Sequence, residues 1–181
     1  MTMELSRRQQ RAVAIGVGVI AGCVLLARLV RQRRESRPQP PDLAPYEWTT
    51  VSFLDTNDEL LGTADARVAD TEPKHYVGLS NTDSLDDEEG MLFVHATEES
   101  QSYVMRNMSV PLDIVFVDAD RVVTAIHHAE LPAPGTPHDD LNRYRGEAMF
   151  VLEVPYEFTD RIGLTTGDYI RIAEMTDEPS E

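Results

Sequence analysis

Lysine is almost missing from this chain: Lys74 is the only one in 181 residues, and the other basic charges are all arginine. Basic residues of both kinds total 16 against 32 Asp and Glu, a formal net charge of −16. Phosphate neutralisation needs clustered Lys and Arg, so this balance argues against nucleic acid as a partner of the acidic part. Cysteine is nearly absent as well. Cys23 stands alone, which excludes an intramolecular disulfide framework and any multi-cysteine zinc or cluster site. No glycine-rich phosphate loop, no Gly-x-Ser-x-Gly elbow and no His-Glu-x-x-His pair occurs, and no internal repeat is visible. With 41% hydrophobic residues, wholesale disorder is excluded too.

The charges present are unevenly placed. Residues 1–40 carry eight arginines against Glu4 and Glu35, or +6, which leaves −22 for residues 41–181. An acidic surface of this density with almost no lysine reads as adaptation to high salt, the habit of a salt-adapted archaeon, because screening then removes its self-repulsion.

The longest apolar run lies inside the basic segment. Residues 12–27 hold no charge, and Leu29 and Val30 extend the run past Arg28, whose stem can snorkel. As a helix, 12–30 would measure about 28 Å, enough to span a hydrocarbon core. Arg7-Arg8 and Arg31 to Arg34 bracket it. The expectation is a single transmembrane helix or signal anchor that makes the lipid bilayer the first partner. Gly18 and Gly22 are spaced for close approach of two such helices. Ser6-Arg7-Arg8 resembles a twin-arginine export signal, and Ile20-Ala21-Gly22-Cys23 a lipobox with Cys23 as the acylated residue. Three arginines precede the run and five follow it, which by the positive-inside rule would keep the C-terminal part cytoplasmic. The export motifs point the other way, to an extracytoplasmic domain, and the reading leans to that side. The chain therefore divides into an anchor (1–34), a proline-rich spacer (35–47), a folded domain (48–174) and an acidic tail (175–181).

Within the domain, segments rich in β-branched and aromatic residues alternate with turn signals. Strands are expected at 48–54 and 60–69, as a hairpin around Asp55 to Asp58, then at 90–95, 101–106, 112–118, 121–130, 148–154 and 169–173. In the fifth of these, Leu112, Ile114 and Phe116 would face one way and Asp113, Val115 and Val117 the other. Residues 71–79 suggest a short helix capped by Thr71, with Tyr76 and Leu79 on one face. Residues 156–162 suggest a helical turn stopped by Gly163. The predicted class is all-β, a sandwich or partly closed barrel with one or two short helices.

Several phrases carry a resemblance. Val68-Ala69-Asp70-Thr71 is followed by Gly78-Leu79, then Gly90-Met91-Leu92-Phe93-Val94, Tyr103 to Met108, Pro111-Leu112-Asp113-Ile114-Val115-Phe116-Val117-Asp118, Val151-Leu152-Glu153-Val154 and Gly167-Asp168. In this order they resemble the DUF192 family of uncharacterised conserved domains, over about residues 48–173. The resemblance implies a small β domain, often behind a signal peptide or anchor, and implies no activity. The chain departs from the family pattern where Trp-Met-Lys-Asn-Thr is usual, and Pro155-Tyr156 stands where a glycine commonly follows Val-Leu-Glu.

The residues singled out for ligand binding are Met105, Arg106, Asn107, Pro111, Asp113 and Tyr144. Arg106 suits a carboxylate or phosphate, Asn107 offers a donor and an acceptor, and a carboxylate at Asp113 inside a strand needs a partner. These residues read either as a pocket or as an internal Arg106–Asp113 pair with Asn107 capping a turn. His127-His128, on opposite faces of a strand, cannot easily grip one ion, and His75 and His95 read as packing or surface residues. The acidic run 83–89 lacks the spacing of a calcium loop. No catalytic residue, cofactor or metal is assigned. The functional expectation is a membrane-anchored accessory module binding a small ligand or an envelope protein. The alternatives are a hydrolase with Asp113 as base and Arg106 or Asn107 stabilising an anion, and a structural subunit of a membrane complex.

Overall fold

A computed structural model describes residues 45–174. The anchor, the export and lipobox motifs, the spacer up to residue 44 and the tail 175–181 lie outside the described residues. Among the described residues no helix is long and apolar enough to cross a membrane.

Seven strands form one sheet: β1 (Trp48–Leu54), β2 (Leu60–Ala69), β3 (Glu89–Tyr103), β4 (Leu112–Val117), β5 (Val123–Ala129), β6 (Tyr144–Pro155) and β7 (Tyr169–Ile172). Two short helices join them, α1 (Glu72–Val77) and α2 (Phe158–Ile162). The spatial order is β5-β4-β6-β3-β2-β1-β7. β2 and β3 run parallel, with α1 in their crossover; the other neighbours are antiparallel. The sheet curls until its edges touch. Val122 bridges Tyr169, Val123 N–H reaches the Asp168 carbonyl at 2.7 Å, and Ile170 N–H reaches the Arg121 carbonyl at 3.0 Å. The sandwich alternative is thereby corrected: among the described residues there is one sheet, and its curl supplies the two walls a sandwich would need.

Local chemistry explains the turns. At the β1–β2 hairpin, Asp55 Oδ1 accepts from the backbone N–H of Asn57 and Glu59, both at 2.8 Å, and Asp58 takes φ 66°. Asp118 does the same before β5, accepting Val122 N–H at 2.8 Å. α2 stops at Gly163, where φ is 74°. The observed helices are shorter than expected, and Thr71 sits at the N-cap of α1 without a side-chain capping bond. Tyr76 and Leu79 do not share a face: Tyr76 is 70% exposed and Leu79 is buried. The two strands expected at 90–95 and 101–106 are one long β3, irregular between Val94 and Glu99, whose polar far half is held by pairing with β6.

Curling gives the sheet two apolar faces. Inside the curl, Val51, Phe53, Leu92, Val115, Phe150, Leu152, Phe158 and Ile170 pack together. Outside, Leu79, Met91, Phe93, Met105, Leu112, Ile114, Phe116 and Val151 form a second core under α1 and the 104–111 loop, joined by Tyr46, Met108 and Tyr144. The last spacer residues belong to this domain, since Tyr46 packs here and the Glu47 carbonyl accepts Val68 N–H at 2.8 Å.

The Gly90-Met91-Leu92-Phe93 phrase has a steric reason. A Cβ on Gly90 would lie 2.7 Å from the Glu153 carbonyl oxygen and 3.1 Å from Val154 Cγ1. Backbone cannot yield as a side-chain tip can, so Gly90→Ala is expected to destabilise by about 1–3 kcal/mol, read as a lower urea midpoint at unchanged m-value.

Candidate functional site

The six residues chosen from the sequence do not converge. β4 alternates, so Leu112, Ile114 and Phe116 pack in the outer core while Asp113 shares the inner face with Val115 and Val117. Arg106 is tied to α1, which covers the outer core. The expected Arg106–Asp113 pair is absent.

Asp113 is fully buried. Its Oδ1 accepts from His128 Nδ1 at 2.7 Å and from Glu157 N–H at 3.1 Å. Its Oδ2 accepts from Thr159 N–H at 2.9 Å and Thr159 Oγ1 at 2.6 Å. These bonds fasten the first turn of α2, and with it buried Phe158, to the end of the curl. Both oxygens are committed and neither reaches solvent, so Asp113 is not placed to take a proton from a substrate. His128, on β5, was missed as its partner. The hydrogen bond to Asp113 raises the His128 pKa above its ordinary value against a smaller opposing effect of burial, with Asp160, 3.7 Å from Nε2, adding to the rise.

The other residues lie on or beside the outer core. Met105 is buried in it, Tyr144 packs at its edge, and Pro111 leads directly into β4. Asn107 is exposed at the tip of the loop with φ 55°, a left-handed conformation that asparagine tolerates better than most residues. Arg106 lays its guanidinium 4.2 Å from the centre of the Tyr76 ring and donates from Nη2 to the Tyr76 carbonyl at 2.7 Å. Ser80 Oγ donates to the Arg106 carbonyl at 3.2 Å and fixes the loop to the end of the α1 segment. The result is a planar cation held on an exposed aromatic ring.

Beneath α1 the outer face carries polar groups that sequence reading passed over. Strand pairing aligns Trp48, Arg67, Met91, Glu153, Ile114 and His127 across five strand boundaries. Glu153 is 6% exposed, and its carboxyl has no hydrogen-bond partner among the described residues. Burial pushes its pKa from 4.5 up to about 8, opposed by the positive charge of Arg67. Arg67 itself pairs with Glu89 at 3.3 Å and stacks against Trp48. The same face holds Tyr103, whose hydroxyl meets His95 Nε2 at 3.0 Å; burial and Glu153 push the phenol pKa up. A Glu inside Val-Leu-Glu-Val was the visible signal, since an ionisable residue flanked by strand apolars must pair, protonate or bind.

His127 and His128 do split across β5 as alternation requires. His127 packs against Phe116 and Tyr144, and its Nε2 meets the Arg145 carbonyl at 2.8 Å. Among the described residues no group of three His, Cys, Asp or Glu is assembled for a metal. A groove of about 370 Å³ beside α2 is lined by residues that include Leu61, Gly62, Asp87, Phe158, Arg161 and Ile162, and by none of the six candidates.

Most of the phrases singled out in the sequence lie on β2, β3, β4 and β6 of this sheet. The description "Uncharacterized ACR, COG1430", DUF192, matches residues 53–172. The chain belongs to the DUF192 family. Two solved structures share the fold of this DUF192 domain. One, from Sinorhizobium meliloti and described as a "putative transcription regulator", is 21% identical, with a TM-score of 0.63 over 72% of this chain and 97% of that one. The other, a protein of unknown function from Novosphingobium aromaticivorans, is 27% identical, with a TM-score of 0.60 over 75% and 93%. No curated protein matches the chain.

Proposed function

We propose that this DUF192 domain is a binding module held at a membrane surface by residues 12–30, with α1 and the 104–111 loop as its recognition surface. The observation that carries this reading is the Arg106–Tyr76 stack: a guanidinium fixed on a ring that is 70% exposed. An exposed tyrosine ring offers a flat amphipathic face, the kind of surface enriched at binding interfaces. Arg106 is one of eight basic residues among thirty acidic ones in 41–181, so it is a local positive point on a negative body. With one Nη tied back to Tyr76, the remaining N–H groups suit a carboxylate, on a small acid, a sugar acid or a peptide end, while the ring face suits its carbon skeleton.

A thermal-shift panel of carboxylates, sugar acids and peptides on the full-length protein in high salt tests this. The expected result is a ligand whose stabilisation drops at least tenfold in apparent affinity in both Arg106→Ala and Tyr76→Ala, with unliganded melting almost unchanged. A ligand whose shift survives both substitutions would place recognition elsewhere. The anchor is tested separately by vesicle flotation. The full chain should float and a chain lacking residues 1–34 should not.

A further inference from the structure

We propose that His75 and His95 form a two-imidazole site for a late first-row divalent cation, Cu²⁺ foremost. His75 lies on α1 and His95 follows the buried half of β3, and their ring centres are 4.8 Å apart at 49°. Both rings are partly exposed. One nitrogen of each is already engaged. His75 Nε2 is 2.9 Å from the Ala69 carbonyl, which can only accept, so Nε2 carries the proton and Nδ1 the lone pair. His95 Nε2 is 3.0 Å from the Tyr103 hydroxyl, which can accept from Nε2–H and leave the lone pair on Nδ1. Neither Nδ1 has a hydrogen-bond partner among the described residues. A ring oriented by a carbonyl or hydroxyl on one nitrogen, with the other nitrogen free, is the arrangement that outer partners impose on metal-bound histidines.

The surroundings favour a cation. Lys74, next to His75 in the chain, is paired with Asp70 at 2.9 Å. Glu99 lies close enough to act electrostatically on His95 and is exposed, so it can complete the site together with water. No third ligand is preassembled among the described residues, which excludes a closed structural zinc centre. Two imidazoles plus oxygen donors match the tetragonal preference of Cu²⁺, which also heads the affinity order of these ions.

The test is Cu²⁺ titration of the chelator-treated full-length protein, read by calorimetry and electron paramagnetic resonance. Expected are one ion per chain, a two-nitrogen coupling pattern, and at least tenfold weaker binding in both His75→Phe and His95→Phe, which keep the ring contacts with Phe93 and Tyr103. His127→Phe should bind as the parent does. Unchanged affinity in the first two variants, or a loss only in the third, overturns the proposal. Should a variant fail to fold, Cu²⁺ broadening of imidazole resonances in the unmodified protein decides. Signals of His75 and His95 vanishing first support the site; those of His127, His128 or His138 vanishing first refute it.

Discussion

Replacing Glu153 by Gln is expected to flatten the pH dependence of stability and to raise the melting temperature at pH 8. The buried carboxyl has its pKa raised from 4.5 to about 8, chiefly by desolvation. The sign follows from linkage. Below 4.5 both folded and unfolded chains hold the proton and the group contributes no pH dependence. Between 4.5 and about 8 the unfolded chain releases the proton while the folded chain keeps it, so stability falls as pH rises; above 8 the loss is complete. At 1.36 kcal/mol per unit, the loss across this window is roughly 5 kcal/mol. Gln copies the shape of the protonated acid and carries no such penalty. His128 adds a smaller trend of the same sign. Its folded pKa is raised by Asp113, so its contribution is present below its unfolded value and lost as pH rises through the folded one. Urea unfolding at pH 5, 6.5 and 8 in high salt, where the surface carboxylates are screened, reads these two against His95, whose lowered folded pKa contributes the opposite sign. A Glu153→Gln protein with the parent's pH slope would mean that the carboxyl is ionised and solvated, not buried as described.

Asp113→Ala is expected to cost about 3–5 kcal/mol, while Arg106→Ala costs no more than about 1 kcal/mol. Removing the carboxylate leaves the N–H groups of Glu157 and Thr159, the Thr159 hydroxyl and the His128 Nδ1 proton without their acceptor. α2 then loses its tether, and Phe158, whose ring centre is 5.4 Å from that of Phe53, loosens in the inner core. A drop of more than about 10 °C in melting temperature is the expected reading. Arg106 only stacks at the surface, so its removal touches no buried group. Equal losses in the two variants would restore the Arg106–Asp113 pair that the sequence suggested and the strand alternation separates.

The reach of the sequence is clearest in β4. Alternation along Leu112 to Val117 correctly sorts its side chains to two faces, yet the polar residues nearby were grouped as though they shared one. Proximity along the chain places Arg106 near Asp113; the pleat sends Asp113 through the sheet to α2, which arrives from residues 157–159, forty-odd positions later. Glu153 shows the same limit, since Val-Leu-Glu-Val announces an ionisable group in an apolar strand but not which strands will bury it. The two histidines on α1 and β3 are twenty residues apart, and only the crossover between parallel strands brings their rings together.

What the sequence determined by itself is local: strand and turn positions, the stops at Asp55 to Asp58, Asp118 and Gly163, the family, and the split of charge between a basic head and an acidic body. These follow from backbone preference, side-chain period and composition, which neighbouring residues carry among themselves. The tertiary structure alone decided that one sheet closes on itself instead of two sheets facing each other. It also decided that β3 runs unbroken through polar residues, and that Asp113, Glu153 and the His75–His95 pair acquire the partners they have. Those outcomes depend on which distant strands pair and in what register, and no single segment encodes that choice.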